Sequence, residues 1–194
     1  EDLEQLCAYA HRFGARIFMT QNTIIYDDEL QEAYSLMCRA EEAGVDAIIV
    51  QDLAILKMAD GGPDGNGRRI RIPLHASTQC AIRNVDKALF YKGLAFSRLV
   101  LEREMELSRC YSGQCYLSER IAGRSANRGE CIQACRSLYN LTDASGNVLV
   151  KNKALLSLKD YNLLKRIGDL ADAGVTSFKI EGRLKNISYV RNTV

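Results

Sequence analysis

The chain has 194 residues, seven of them cysteine, with 47% hydrophobic and 26% charged side chains, two prolines and a net charge of +2. A single domain of this length, here residues 1–194, buries about 70% of its unfolded surface without disulfide staples, and the composition excludes a disordered or fibrous chain. The near-balanced charge gives no argument for nucleic acid; no apolar run reaches the ~18 residues of a membrane span and no secretory leader is visible, so a cytoplasmic location is expected.

In chain order, Leu3, Leu6, Cys7, Ala10 and Phe13 recur at helical spacing and Gly14 follows as a stop, which predicts a helix over Asp2–Phe13. Ala15–Thr20 reads as a short strand ending in Gln21, Asn22 and Thr23. Asp27 and Asp28 suit the positive end of a second helix, which carries Leu30, Ala33, Leu36, Met37 and Ala40 to Gly44. Asp46–Gln51 is apolar almost throughout, the mark of a strand buried on both faces, and it too ends in polar residues, Gln51 and Asp52.

The unit then recurs. Leu53–Ala59 is a short helix, Asp60–Arg69 a glycine-rich surface loop, and Ile70–Leu74 a strand leading to His75–Gln79. A helix over Asn84–Tyr91 ends at Gly93, and the strand Ser97–Leu101 delivers Glu102. Further on, Ser137–Thr142 and Asn147–Val150 flank Asp143–Gly146 as a β-hairpin. A last helix carries Leu164, Ile167, Leu170 and Ala171, followed by a strand at Thr176–Ile180, then Glu181 and Arg183, and a helical end.

Alternating helices and strands with polar strand ends are the grammar of parallel α/β sheets, whose active sites lie at the strand C-termini. A (β/α) barrel is preferred to an open doubly wound sheet because no glycine-rich nucleotide fingerprint follows the first strand. With five or six parallel strands the barrel is incomplete, and a cysteine-rich loop and the hairpin are inserted in it.

The density of chemistry lies between Cys110 and Arg136. Cys110 and Cys115 form C-x4-C and Cys131 and Cys135 form C-x3-C, spacings that close on zinc or an iron-sulfur cluster; neither is the C-x2-C knuckle zinc prefers. Reduced, partly buried thiols are the plain alternative. Arg124, Asn127 and Arg128 suit phosphate or carboxylate recognition, or else cap strand ends. Lys179, Glu181 and Arg183 either orient a substrate or form a salt-bridged rim. Gln51, Asp52 and Glu102 invite the same pair of readings, with the structural one ahead. His75 is the strand-end histidine available to a nucleophile such as Ser77, but no G-x-S-x-G elbow exists, and His11 belongs to a helix surface.

Taken together, YSGQCYLS at Tyr111–Ser118, GRSANRGEC at Gly123–Cys131 with Cys135 and Arg136, FKIEGRLK at Phe178–Lys185, HASTQ at His75–Gln79 and LEREM at Leu101–Met105 resemble the collagenase-like peptidases of unknown catalytic type, family thirty-two of class U. The resemblance implies a TIM-barrel-like domain. Some members carry the name of collagenase; others act in hydroxylation of ribosomal or transfer RNA, or in oxygen-independent ubiquinone hydroxylation, with cysteines holding a 4Fe-4S cluster. Cys115 and Cys131 match family cluster cysteines, Cys135 matches one used in some branches, and Cys110 is the fourth candidate. A segment usual in the family between LEREM and YSGQC is absent, so a gap is expected near Arg109–Cys110. His75, Glu102, Glu181 and Arg183 are then the catalytic candidates, and Arg124, Asn127, Arg128 and Lys179 the substrate-binding ones. The functions implied are RNA-base hydroxylation using a cluster and a small acidic co-substrate, peptide hydrolysis as the family label states, or non-catalytic binding of RNA or a partner.

Overall fold

Four short parallel strands carry the fold: β1 (Phe18–Gln21), β2 (Ala47–Val50), β3 (Leu74–Ala76) and β4 (Arg98–Leu99), in sequential order across one sheet. Their register sets Gln21 beside Val50, Val50 beside Ala76 and Ala76 beside Leu99. Parallel neighbours need crossovers, supplied by α2 (Leu30–Glu42), α3 (Ala54–Ala59) and α4 (Val85–Lys92), while α1 (Asp2–His11) precedes β1. The computed structural model describes residues 2–102, 115–157, 162–180 and 186–193. The chain forms two units, Glu1–Leu158 and Lys159–Val194.

Alternation along the strands gives the sheet two unlike faces. Met19, Ile48, Val50 and Leu74 share the core with Cys7 of α1, Ala33, Met37 and Ala40 of α2, and Ile55 and Met58 of α3. The register places Thr20, Ile49, His75 and Arg98 in a row on the opposite face. There the Phe18 ring meets His75 edge-on at 5.1 Å between centroids and lies 5.6 Å from the Arg98 guanidinium.

The strand expected at Ile70–Leu74 begins only at Leu74 and runs on through His75 to Ala76. Ile70 and Ile72 are buried, as their alternation suggests. The backbone N–H groups of Arg71 and Ile72 are nevertheless taken by the Glu41 carboxylate, at 2.5 and 3.1 Å, and Pro73 has no N–H to give a ladder. The preceding glycine-rich loop is tied to α2. Tyr34 donates to the Arg68 carbonyl at 2.7 Å, and Arg68 donates to the Cys38 carbonyl and pairs with Glu41 and Glu42. A Cβ at Gly67 would lie 2.5 Å from the Tyr34 hydroxyl oxygen, so glycine is required there for space.

Asp46 joins three elements, accepting from the backbone N–H of Ile17 at 2.7 Å and from His11 Nε2 at 2.9 Å. The bond from His11, then that from Ile17, holds the Asp46 carboxyl below its ordinary value. A depressed carboxyl contributes stability that is complete above the unfolded value of about 4 and is lost as pH falls through the lower folded value. The stability difference between wild type and Asp46→Asn, from urea midpoints, should therefore shrink steadily as pH is lowered below about 4. A difference constant down to pH 2 would remove Asp46 from the acid response.

The hairpin forms as expected from β5 (Tyr139–Thr142) and β6 (Val148–Lys153), antiparallel, with Asp143 accepting from the backbone N–H of Ser145 and Asn147 in the turn. The cysteine-bearing stretch, expected as loop, contains a helix, α5 (Leu117–Ala122), closed by Gly123 at φ +64°. In the second unit α6 (Ile167–Asp172) and α7 (Ile187–Thr193) form. Residues 175–180 are not a strand. Thr176, Phe178 and Ile180 alternate correctly, but among the described residues of this unit no strand is present to pair with them, and an unpaired edge does not hold itself extended.

Candidate functional site

The loops leaving β1, β2 and β3 are stitched together by side chains that the strand ends deliver. Asn22 donates to the Ser77 hydroxyl at 3.4 Å. Asp52 accepts from the backbone N–H of Ile25 and of Ala54, tying the loop after β1 to the start of α3. Gln21 donates to the Ala33 carbonyl of α2. Side-chain carbonyl oxygens of Gln21, Gln51 and Gln79 are buried at these strand ends without a hydrogen-bond partner among the described residues. A buried acceptor left unpaired costs on the order of 1–3 kcal/mol.

Two adjacent residues of the cysteine segment make its ties, one within the segment and one to the loop after β1. Asn127 is buried, and its Oδ1 accepts from the Cys115 backbone N–H at 3.0 Å. Arg128 reaches back to the loop after β1. Its guanidinium donates to the Ile24 carbonyl at 2.9 Å and grips Glu29 with both terminal nitrogens at 3.2 and 2.5 Å. It also stacks 4.1 Å from the Tyr26 ring centroid. Glu29 is itself fixed, accepting from the Tyr26 backbone N–H at 2.9 Å, and the Arg128 bond holds its carboxyl below the ordinary range. One residue thus anchors Cys115 and its neighbour anchors the segment to the sheet.

Cys131 lies at the surface, and its sulfur accepts two hydrogen bonds, from the Ser118 hydroxyl at 3.7 Å and from the Gln133 backbone N–H at 3.3 Å. Cys135, in the short 3-10 turn Ala134–Arg136, is half-buried, as is Cys115. Cys7 and Cys80 behave differently: both are buried in the core, which pushes their thiols up, so they serve as apolar filling. Among the described residues no three histidine, cysteine or carboxylate side chains gather as a closed metal cage, and Cys110 lies outside the described residues. Cys115, Cys131 and Cys135 are donors of the soft-metal type carried on one segment, but they are not gathered at one point.

The other expected residues fall as follows. His75 is buried on β3, and burial, then the charge of Arg98, holds its imidazole below the ordinary value. It is therefore neutral at neutral pH. Glu102, just past β4, pairs with Arg83 at 2.5 Å. Arg124 is exposed beyond α5, and Lys179 is exposed in the second unit. Glu181, Arg183 and the expected gap near Arg109–Cys110 lie outside the described residues. The site residues missed from sequence are Ser118, Tyr26 and Glu29. Ser118 had a usable signal, the helix formers of Leu117–Ala122 before Gly123; Tyr26 and Glu29 had none, because the Glu29–Arg128 pair spans 99 positions.

Comparison with known proteins adds the relatives. The chain is 46% identical over 99% of its length to the 23S rRNA 5-hydroxycytidine C2501 synthase of Escherichia coli, of which it covers 31%. It is 31% identical over 98% of its length to a collagenase of Porphyromonas gingivalis, covering 52% of it. It is also 29% identical over its full length to the tRNA hydroxylation protein P1 of Bacillus subtilis, covering 51% of that protein. The chain thus spans a third to a half of these curated relatives. No solved structure matches it. The model of peptidase family U32 matches residues 1–110 and 107–194, and on that match the chain belongs to peptidase family U32.

Proposed function

We propose that this chain is part of an iron-sulfur RNA hydroxylase, acting on a base of ribosomal or transfer RNA in the cytoplasm. The observation that carries the reading is the thiol segment clamped onto the C-terminal rim of a parallel sheet, in a chain 46% identical to an rRNA hydroxycytidine synthase. The four strands in sequential order are read as an arc of a (β/α) barrel, whose C-terminal rim is where such folds bind substrates. Cys115, Cys131 and Cys135, with Cys110 as the fourth thiolate, are the ligands assigned to a 4Fe-4S cluster. Bound there, the cluster supplies one-electron chemistry.

The protein's own residues have separate tasks in this reading. Asn127 fixes Cys115 within the segment and Arg128 ties the segment to the loop after β1, so Arg128 is a structural clamp and Arg124 remains for a phosphate or an acidic co-substrate. His75, neutral and buried, is a hydrogen-bonding group rather than a cation. Hydroxylation exchanges a ring C–H for C–OH, a two-electron oxidation, and the co-substrate supplies the oxygen atom and accepts the electrons.

The test is anaerobic purification of the full-length protein with iron and acid-labile sulfide analysis, together with nucleoside analysis of RNA from a strain lacking it. Bound iron and sulfide and the loss of a hydroxylated nucleoside are expected. A colourless, iron-free protein after anaerobic reconstitution, with unchanged RNA, defeats the reading. Digestion of gelatin by that same protein would support the peptidase reading that the collagenase-named relative favours.

A further inference from the structure

We propose that the exposed face of α5, centred on Tyr116, is a contact for single-stranded RNA, with the Tyr116 ring stacking on a base and Arg120 and Arg124 taking the phosphates beside it. The proposal rests on the RNA reading above and names where that partner lies on this chain. Tyr116, Glu119 and Arg120 line a shallow recess of about 280 Å³. The Tyr116 side chain is largely bare, the residue being 66% exposed, and no other ring or cation lies against it among the described residues. Tyrosine offers a broad π-face at little cost in side-chain entropy, and every base has a face that can stack on it.

The platform is rigid and set among cations. The Cys115 backbone N–H, immediately before Tyr116, is held by the buried Asn127 at 3.0 Å. The Tyr116 carbonyl accepts from the Arg120 backbone N–H at 2.9 Å, which puts Arg120 one turn on along the same helix face. Residues 115–136 contain four arginines and no lysine. Arg128 is committed to Glu29, whereas Arg120, Arg124 and Arg136 are exposed and make no ion pair among the described residues. Arg136 belongs to the short 3-10 turn that packs on α5. Guanidinium grips phosphate bidentately and also stacks on bases, so unpaired arginines beside a bare ring fit a nucleic-acid strand better than an apolar peptide. Of the segment's two carboxylates, Glu130 lies outside the recess and Glu119 lines it. Glu119 repels a phosphate but accepts from the amino group of a base, which sets the base rather than the backbone over the recess.

The experiment compares full-length wild type with Tyr116→Ala, Tyr116→Phe, Arg120→Ala and Arg124→Ala by fluorescence anisotropy of a labelled oligocytidylate over a range of salt concentrations. These positions are all exposed, so each variant should keep the wild-type urea midpoint. Tyr116→Ala is expected to weaken binding about tenfold, the loss of one stacked base, and Tyr116→Phe to bind as wild type does. Each arginine variant should weaken binding and lower the slope of log affinity against log salt by about 0.7. Oligouridylate, whose bases lack an amino group, should bind less tightly than oligocytidylate, and equal affinity removes Glu119 from the contact. Tyr116→Ala binding as tightly as wild type, or Tyr116→Phe binding as weakly as Tyr116→Ala, overturns the platform. Variants that bind oligocytidylate normally but lose a co-purifying protein overturn it too and assign the face to a protein partner. A wild type that binds no oligocytidylate, while its deletion still removes a hydroxylated nucleoside, overturns this surface and leaves the hydroxylase reading standing. Unchanged RNA in the deletion strain defeats that reading instead.

Discussion

Replacing Arg128 by alanine is expected to loosen the cysteine segment from the sheet rim and to lower the proposed RNA hydroxylation about a hundredfold, the cost of misplacing a reacting group by roughly 1 Å. Both ends of the clamp are specific. The guanidinium satisfies the Ile24 carbonyl and both Glu29 oxygens while lying on Tyr26, and lysine cannot reproduce that planar fork. Arg128→Lys should therefore recover little activity. Glu29→Gln separates the clamp from a phosphate ligand. If Arg128 acts through Glu29, the glutamine variant reproduces much of the loss, and the double variant is no worse than Arg128→Ala, because one interaction is removed twice. If Arg128 contacts RNA, Glu29→Gln leaves activity intact and Arg128→Ala weakens RNA binding in a salt-dependent way. Limited proteolysis within residues 115–136 gives a readout free of catalysis: faster cleavage in both single variants is expected.

The largest loss of stability should come from Met37→Ala. Met37 has no exposed surface and sits in the core shared by α1, α2, α3 and the helix-facing side of the sheet. Removing its side chain forfeits transfer free energy and leaves a cavity that rigid neighbours do not fill, about 3 kcal/mol in all. Met37→Leu nearly conserves the volume and should cost less than about 1.5 kcal/mol. Urea denaturation of the two variants checks this, and similar midpoints for both would mean that the core around α2 repacks freely.

What the sequence made legible depended on whether the signal was local. The run Ala47–Val50 is apolar on both faces and became the central strand. The spacing of Ala33, Met37 and Ala40 became the buried stripe of α2. The hairpin at Asp143–Gly146 was legible from turn chemistry alone. Where the answer lay in distant partners, local pattern failed. Glu41 takes the Arg71 and Ile72 amides and the Ala59 carbonyl takes that of Ile70, which keeps this stretch out of the sheet, and Thr176–Ile180 has the alternation of a strand with no strand to pair with among the described residues of its unit. At the site, the cysteines and Asn127 stood out by residue type. The partners of Arg128 and the bond from Ser118 to Cys131 arise only on folding, and no local pattern around either residue announces them.

Tyr34 and Gly67 are bound to each other's fate in sequence drift. Gly67 needs no left-handed backbone; a side chain there is forbidden by the Tyr34 hydroxyl at 2.5 Å and the Gly61 carbonyl oxygen at 3.0 Å, while Tyr34 is held in place by the hydroxyl bond to the Arg68 carbonyl. Neither position can change first without loss: a side chain at 67 collides with the ring, and a smaller residue at 34 strips the loop of its tether. Lineages that escape glycine at 67 should therefore be those that had surrendered tyrosine at 34 and also moved the Gly61 carbonyl, which makes this loop slow to diverge despite its exposed, glycine-rich composition.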